Sequence, residues 1–176
     1  MEFRLRPLRN TDVPSFARHA NDPLVARNLT DGFPHPYTRD HAKALIQRTM
    51  ALDGPLIMCI DVDGRAMGAI GVHPLADISR LNAELGYWVA RELWGKGIVT
   101  AAVRQMVPYA FGRLPQIQRI YARPFGSNIA SQRVLQKAGF TLEAHLKGTL
   151  IKGDRIEDEL IYAVRREAVN ASPSET

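Results

Sequence analysis

One stretch constrains this chain more than any other: Asn82 to Thr100, N-A-E-L-G-Y-W-V-A-R-E-L-W-G-K-G-I-V-T. From Glu84 to Ala90 it has strand chemistry, because Tyr87, Trp88 and Val89 suit a pleated, half-buried surface. Trp94-Gly95-Lys96-Gly97 then breaks the pattern. Two glycines two apart let the backbone turn tightly with positive φ and present its N–H groups unobstructed. From Ile98 to Phe111 the residues are those of an apolar helix. Strand, glycine turn and helix together aim a helix N-terminus at a phosphate.

Two familiar phosphate motifs do not fit. A nucleotide-hydrolase loop needs G-x-x-x-x-G-K-[ST], which Gly95-Lys96-Gly97 does not supply. A dinucleotide fingerprint needs G-x-G-x-x-G with an acid about 20 residues on; here the third position is Thr100 and no acid follows. Residues 93–142 hold no Asp or Glu but seven basic residues: Lys96, Arg104, Arg113, Arg119, Arg123, Arg133 and Lys137. The rest of the chain carries sixteen basic against eighteen acidic residues, so the net charge of +5 comes from the glycine-turn half. That half expects a polyanion.

At 176 residues the chain is long enough for one domain with its own core. Residues 1–167 are expected to form that domain, with 168–176, A-V-N-A-S-P-S-E-T, as a frayed tail. The single cysteine, Cys59, lies in an apolar run and reads as a buried thiol, so no disulfide framework is expected. The opening M-E-F-R-L-R lacks an apolar signal core, and no run of 18 apolar residues occurs, so a cytoplasmic protein with no membrane partner is expected. His19, His35, His41, His73 and His145 show no ligand spacing, so no metal is expected.

Residues 2–9 alternate as a strand. Asn10 or Thr11 can cap a helix to His19, a short helical stretch spans 23–28, and Thr38 caps a helix to about Ala51. Strands follow at 55–62, about 65–74 and 82–90, the first two joined by an Asp63-Gly64 turn. Helix 98–112, apolar almost all round, should be deeply packed. Then come strand 117–122, helix 128–138 stopped by Gly139, and strands at about 141–150 and 155–164. The fold class is α/β (α+β): one mixed, mainly antiparallel sheet flanked by helices, in the order β-α-α-β-β-β-α-β-α-β-β.

The motifs E-L-G-Y-W-V, W-G-K-G-I and S-N-I-A-S-Q-R-V-L-Q-K-A-G-F (Ser127 to Phe140) resemble the GNAT superfamily of acetyl-CoA-dependent N-acetyltransferases. Within it they are most similar to the branch of the RimJ and RimL ribosomal-protein N-terminal acetyltransferases. The likeness runs from about Arg4 to Arg165. One departure stands out: the superfamily pattern [QR]-x-x-G-x-[GA] reads Trp94-x-x-Gly97-x-Val99.

The resemblance implies acetyl-CoA as cosubstrate and a primary amine as acceptor. Its phosphates would lie on the turn formed by Trp94, Gly95, Lys96, Gly97, Ile98 and Thr100. The strand residues Trp88, Val89 and Ala90 would flank the acyl arm, with a backbone N–H near Val89 facing the oxyanion. Asn128 would touch the pantetheine, although it can also simply cap its helix. Many relatives place a tyrosine seven residues after that asparagine to protonate the departing thiolate. Leu135 stands there, and the RimL-like branch has a serine where Ser131 lies, so Ser131 takes the thiolate.

Glu84 is the candidate base, acting through water, on the strand face it shares with Gly86 and Trp88. Phe33, His35 and Tyr37, in the proline-rich segment before Thr38, would shape the acceptor side. Asp158 and Tyr162 read as structural.

Three function classes remain open on residues alone. The first is an N-acetyltransferase acting on a peptide N-terminus, a polyamine, an aminoglycoside or an amino acid derivative. The second is a catalytically silent acyl-CoA-binding protein. The third, a nucleic-acid-binding module, fits poorly because the basic excess coincides with the glycine-turn half. The partners expected are acetyl-CoA and an amine acceptor, with no nucleic acid; a homodimer stays open.

Overall fold

The computed structural model describes residues 2–51 and 56–170. Strand β1 (Phe3–Arg6) leads to helices α1 (Val13–His19), α2 (Pro23–Ala26) and α3 (Arg39–Met50). Strands β2 (Ile57–Val62), β3 (Arg65–Pro74) and β4 (Asn82–Val89) form a meander, followed by α4 (Ile98–Arg113), β5 (Arg119–Ala122) and α5 (Ile129–Lys137). The long hairpin of β6 (Thr141–Lys152) and β7 (Arg155–Arg165) ends in α6 (Arg166–Asn170). All seven strands join one sheet, ordered β1-β2-β3-β4-β5-β7-β6. Among the described residues only the β4–β5 pairing is parallel, so the sheet is mixed and mainly antiparallel, as the sequence pattern predicts.

Alternation along the strands sends side chains to two cores. On one face Ala83, Leu85 and Val89 meet Val103, Met106 and Val107 of α4 and Leu135 of α5. On the other, Cys59, Ala69 and Trp88 meet Phe16 of α1 and Ala42 and Ile46 of α3. A buried cluster ties β1 to the entry of α1. Arg6 bonds Asp61 at 2.6 Å and both oxygens of Asp12 at 2.8 and 2.7 Å, pairing a charge that burial would otherwise penalise.

Several local signals act as their chemistry dictates. The Thr38 hydroxyl accepts from His41 N–H at 3.3 Å at the start of α3, and Asn128 Oδ1 accepts from Ser131 N–H at 3.2 Å at the start of α5. Asp63 (φ 49°) and Gly64 (φ 77°) make the β2–β3 turn.

Four expectations need correction. Asp12, rather than Asn10 or Thr11, takes the cap position of α1. The first strand of the meander begins at Ile57, while residue 55 lies outside the described residues. Helix α4 buries one stripe, and Arg104, Gln105, Pro108 and Gly112 are exposed although the sequence reads apolar almost all round. The chain does not fray at 168: α6 covers residues 166–170. Arg166 anchors it by donating to the carbonyls of Phe111, Leu114 and Ile117 at 3.0, 2.7 and 2.8 Å, which closes the end of α4. Residues 171–176 lie outside the described residues.

Among the described residues no helix is long and apolar enough to cross a membrane, and no group of three or more His, Cys, Asp or Glu side chains could hold a metal ion.

Candidate active site

The centre of the site is a gap in the sheet. Strands β4 and β5 pair only at Asn82↔Arg119, Ala83↔Ile120 and Glu84↔Tyr121. Beyond Glu84, β4 runs on through Val89 while β5 ends at Ala122. Ala90 N–H donates to Met67 carbonyl at 2.7 Å, which fixes the phase of the β3–β4 ladder. In an antiparallel pair the groups alternate sides, so the N–H groups of Tyr87 and Val89 turn away from β3 toward the gap. Gly68 lets β3 close on β4 here: a Cβ at that position would lie 2.4 Å from the Trp88 carbonyl oxygen.

The glycine turn sits at the end of β4. Gly97, with φ 76°, caps α4 in the left-handed region, and Gly95 has φ 74°. A Cβ added at either would meet nothing within 4 Å, so both positions open to space. Neither a side-chain cap nor an acidic residue occupies the first turn of α4. The first N–H groups of a helix have no partner within it and carry its positive end. Lys96 is exposed beside them and Thr100 is half-buried. Val99 packs against the core, which turns this departure from a glycine or alanine inward. The Trp94 indole N–H donates to the Val89 carbonyl at 3.2 Å and so pins the turn to the strand. Taken together, these features fit a pyrophosphate and the acyl arm that follows it.

Asn128 and Ser131 come together on the first turn of α5. The Ser131 hydroxyl lies 2.7 Å from the phenol of Tyr87, whose oxygen also stands 3.4 Å from the Ser131 carbonyl. Burial pushes the Tyr87 phenol up to about 12, against a smaller opposing effect of the Ser131 hydrogen bond. Sequence reasoning read Tyr87 only as a strand former. Its alternation with Leu85 and Val89 was the available signal, since those positions face the helices rather than the Glu84 side. Leu135, where relatives carry the tyrosine, is fully buried.

On the opposite face stands Glu84. Arg123 donates to it from Nε at 3.0 Å and from Nη2 at 3.3 Å, while Nη1 bonds Glu159 at 3.2 Å. Phe33, Tyr37 and Trp88 form an aromatic cluster along the same face, Phe33 stacking on Tyr37 at 5.0 Å and meeting Trp88 edge-on at 6.0 Å. Phe33 is half-buried and His35 exposed, but Tyr37 is only 5% exposed. Trp88, Ala90 and Ile98 are buried as well, so they can offer a ligand their backbone and little side chain. Lys152, at the tip of the β6–β7 hairpin, bonds Asp31 at 2.6 Å, which joins that hairpin to the loop carrying Phe33. Asp158 accepts from Gly148 N–H at 2.9 Å and contacts His145 at 2.6 Å, pinning a bulge of the hairpin.

The family model for the acetyltransferase (GNAT) domain matches residues 2–141. The chain belongs to the GNAT acetyltransferase family. This GNAT chain is 35% identical over 102 residues to a putative ribosomal N-acetyltransferase, YdaF, of Bacillus subtilis (strain 168), covering 58% of the chain and 55% of that protein. It thus spans about half the length of the curated relatives it matches first. Its fold superposes on RimJ of Mycobacterium smegmatis, solved in complex with CoA-disulfide, with a TM-score of 0.80 and 25% identity over 97% of this chain and 85% of that one. A spermidine N-acetyltransferase from Vibrio cholerae, in complex with CoA and spermine, shares the fold at a TM-score of 0.77 and 19% identity over 96% and 98% of the two chains.

Proposed function

We propose that this GNAT chain is an acetyl-CoA-dependent N-acetyltransferase acting on a primary amine, with a peptide N-terminal α-amine as the favoured acceptor. The observation that carries the reading is the parting of β4 from β5 beside the uncapped, acid-free N-terminus of α4. In this reading the N–H groups around Gly95, Gly97, Ile98 and Thr100, with the charge of Lys96, hold the pyrophosphate. Trp94 keeps the turn in place. Backbone groups of Trp88, Val89 and Ala90 flank the acyl arm, and the Val89 N–H faces the thioester oxygen, where it stabilises developing negative charge. Asn128 contacts the pantetheine, and Ser131 donates to the departing sulfur. Glu84 removes the amine proton through a water molecule. Phe33 and His35 border the acceptor, with Tyr37 packed behind Phe33.

The α-amine preference rests on protonation. At pH 7 a lysine side chain is neutral about once in 2,500 molecules and an α-amine about once in seven. Glu84 already accepts two bonds from Arg123, so an acceptor that loses its proton readily suits this site. The naming of YdaF as a putative ribosomal N-acetyltransferase supports the same class. The alternative is a small amine such as a polyamine or aminoglycoside.

Thiol release from acetyl-CoA tests both. Peptides with a free N-terminus should support release, and the same peptides blocked at the α-amine but bearing a free lysine should not. Release with polyamines or aminoglycosides alone would overturn the peptide preference. Binding of acetyl-CoA without release in any case would leave a silent acyl-CoA-binding protein.

A further inference from the structure

The hydroxyl pair between Tyr87 and Ser131 joins two elements, β4 and α5, that are distant in sequence. An O···O separation of 2.7 Å is that of a well-formed hydroxyl bond. The Ser131 backbone is held independently, because its N–H donates to the Asn128 side chain. Only the rotor of the hydroxyl remains to be set. A phenol is a far stronger acid than an aliphatic alcohol, so the better arrangement has Tyr87 donating and Ser131 Oγ accepting. The serine proton is then directed away from Tyr87.

We propose that Tyr87 is a positioning residue for the acyl transfer, fixing the Ser131 hydroxyl so that its proton points toward the departing sulfur. This rests on the acetyltransferase reading given above. Tyr87 does not itself give up its proton. With the phenol pushed up to about 12 by burial, transfer to a thiolate whose thiol ionises near 8.5 runs strongly uphill. The same burial keeps the phenol protonated at every working pH, so the orienting bond is always available. No atom is transferred; the pair supplies a hydrogen bond aimed in advance. Leu135 explains why the job falls to β4, since the helix position that carries a phenol in many relatives is here an apolar core residue.

The test compares Tyr87→Phe, Ser131→Ala and the double variant with the unmodified chain. Acetyl-CoA should raise the melting temperature of all four equally, which shows that they are folded. Tyr87→Phe should lower kcat by roughly twofold to tenfold, the size expected for one hydrogen bond, and leave the KM for acetyl-CoA unchanged. The double variant should be no slower than Ser131→Ala.

A second readout needs no acceptor. The thiol of bound CoA, followed by thiolate absorbance, should titrate about 0.4–1 pH unit higher in each single variant than in the unmodified chain, and no higher again in the double. Additive losses, or a CoA thiol unmoved by Tyr87→Phe, would overturn the proposal. Should Tyr87→Phe fail to fold, unaltered thiol titration in Ser131→Ala would do so alone. Failure of the unmodified chain to bind CoA would overturn the acetyltransferase reading itself, and this proposal with it.

Discussion

Arg123 holds Glu84 by both carboxylate oxygens, at 3.0 and 3.3 Å, and reaches Glu159 with its remaining nitrogen. A fork of this kind fixes a carboxylate in direction as well as place. It leaves Glu84 able to address a water molecule through its remaining lone pairs. Glu84→Gln should therefore keep acetyl-CoA binding but lower turnover at pH 7, by ~10²–10⁴-fold if base catalysis is typical. The deficit should shrink as pH rises past the acceptor's own pKa, because solvent then supplies neutral amine. Full turnover in Glu84→Gln at about pH 6.5, where neutral amine is scarcer, would exclude Glu84 as the base.

Acetyl-CoA at a hundredfold excess over its dissociation constant should stabilise the fold by roughly 2.7 kcal/mol, a melting shift of about 5–10 °C for a chain of this size. Gly97→Glu puts a carboxylate at the open end of α4 and should abolish the shift. Gly97 has φ 76°, so any side chain there is strained. Gly97→Ala carries that strain without the charge and separates the two effects. It should melt lower than the unmodified chain yet still respond to acetyl-CoA.

The aromatic cluster divides into a rim and a core. Phe33→Ala should raise the acceptor's Michaelis constant and leave that of acetyl-CoA unchanged. Tyr37, almost wholly buried, should behave as a core residue, and its truncation to Ala should cost about 3–5 kcal/mol in urea denaturation. Equal effects of Phe33→Ala on both substrates would remove this segment from the acceptor site.

Cys59 sits fully buried, and burial pushes its thiol up to about 12. In the unfolded chain the thiol ionises near 8.5. Its protonated form therefore favours the fold below that pH, and the advantage is lost as pH rises toward the folded value. Stability should fall between pH 8.5 and 10 with a slope approaching ~1.4 kcal/mol per pH unit from this group. Cys59→Ala should flatten that slope, measured as urea midpoints at pH 8 and 10. The native thiol should also stay silent toward thiol reagents, so that assays of released CoA read the cosubstrate alone.

What could be read from the sequence was local or periodic. Thr38 announces α3, Asp63-Gly64 the first hairpin and Gly139 the end of α5, because each acts through its own backbone within a few residues. The strand face of Glu84, Gly86 and Trp88 follows from alternation alone. The missed features join residues far apart in the chain. Tyr87 and Ser131 are 44 positions apart, and Arg123 and Glu84 are 39 apart. No periodicity encodes such meetings; they exist only once α5 and β5 have packed against β4. Helix α6 was hidden for a related reason, since its anchor is a long-range clasp by Arg166 and not a propensity of residues 166–170.

The three paired residues between β4 and β5 make the sheet two smaller ones, β1–β4 and β5–β7–β6, meeting along a seam that opens from one end. At the closed end Arg119 acts as a rivet, donating to Asn82 at 2.9 Å while also held by Glu143 at 2.6 Å. A ligand arm lying in the open part would bond to both margins, much as an absent strand would. Occupancy and seam width are then thermodynamically linked, and each must alter the other by the same free energy. Loosening the rivet, as in Arg119→Ala, should weaken acetyl-CoA binding without touching any residue of the cradle. Bound ligand should in turn slow amide exchange at Tyr87 and Val89, the two positions where the margin of β4 lies bare.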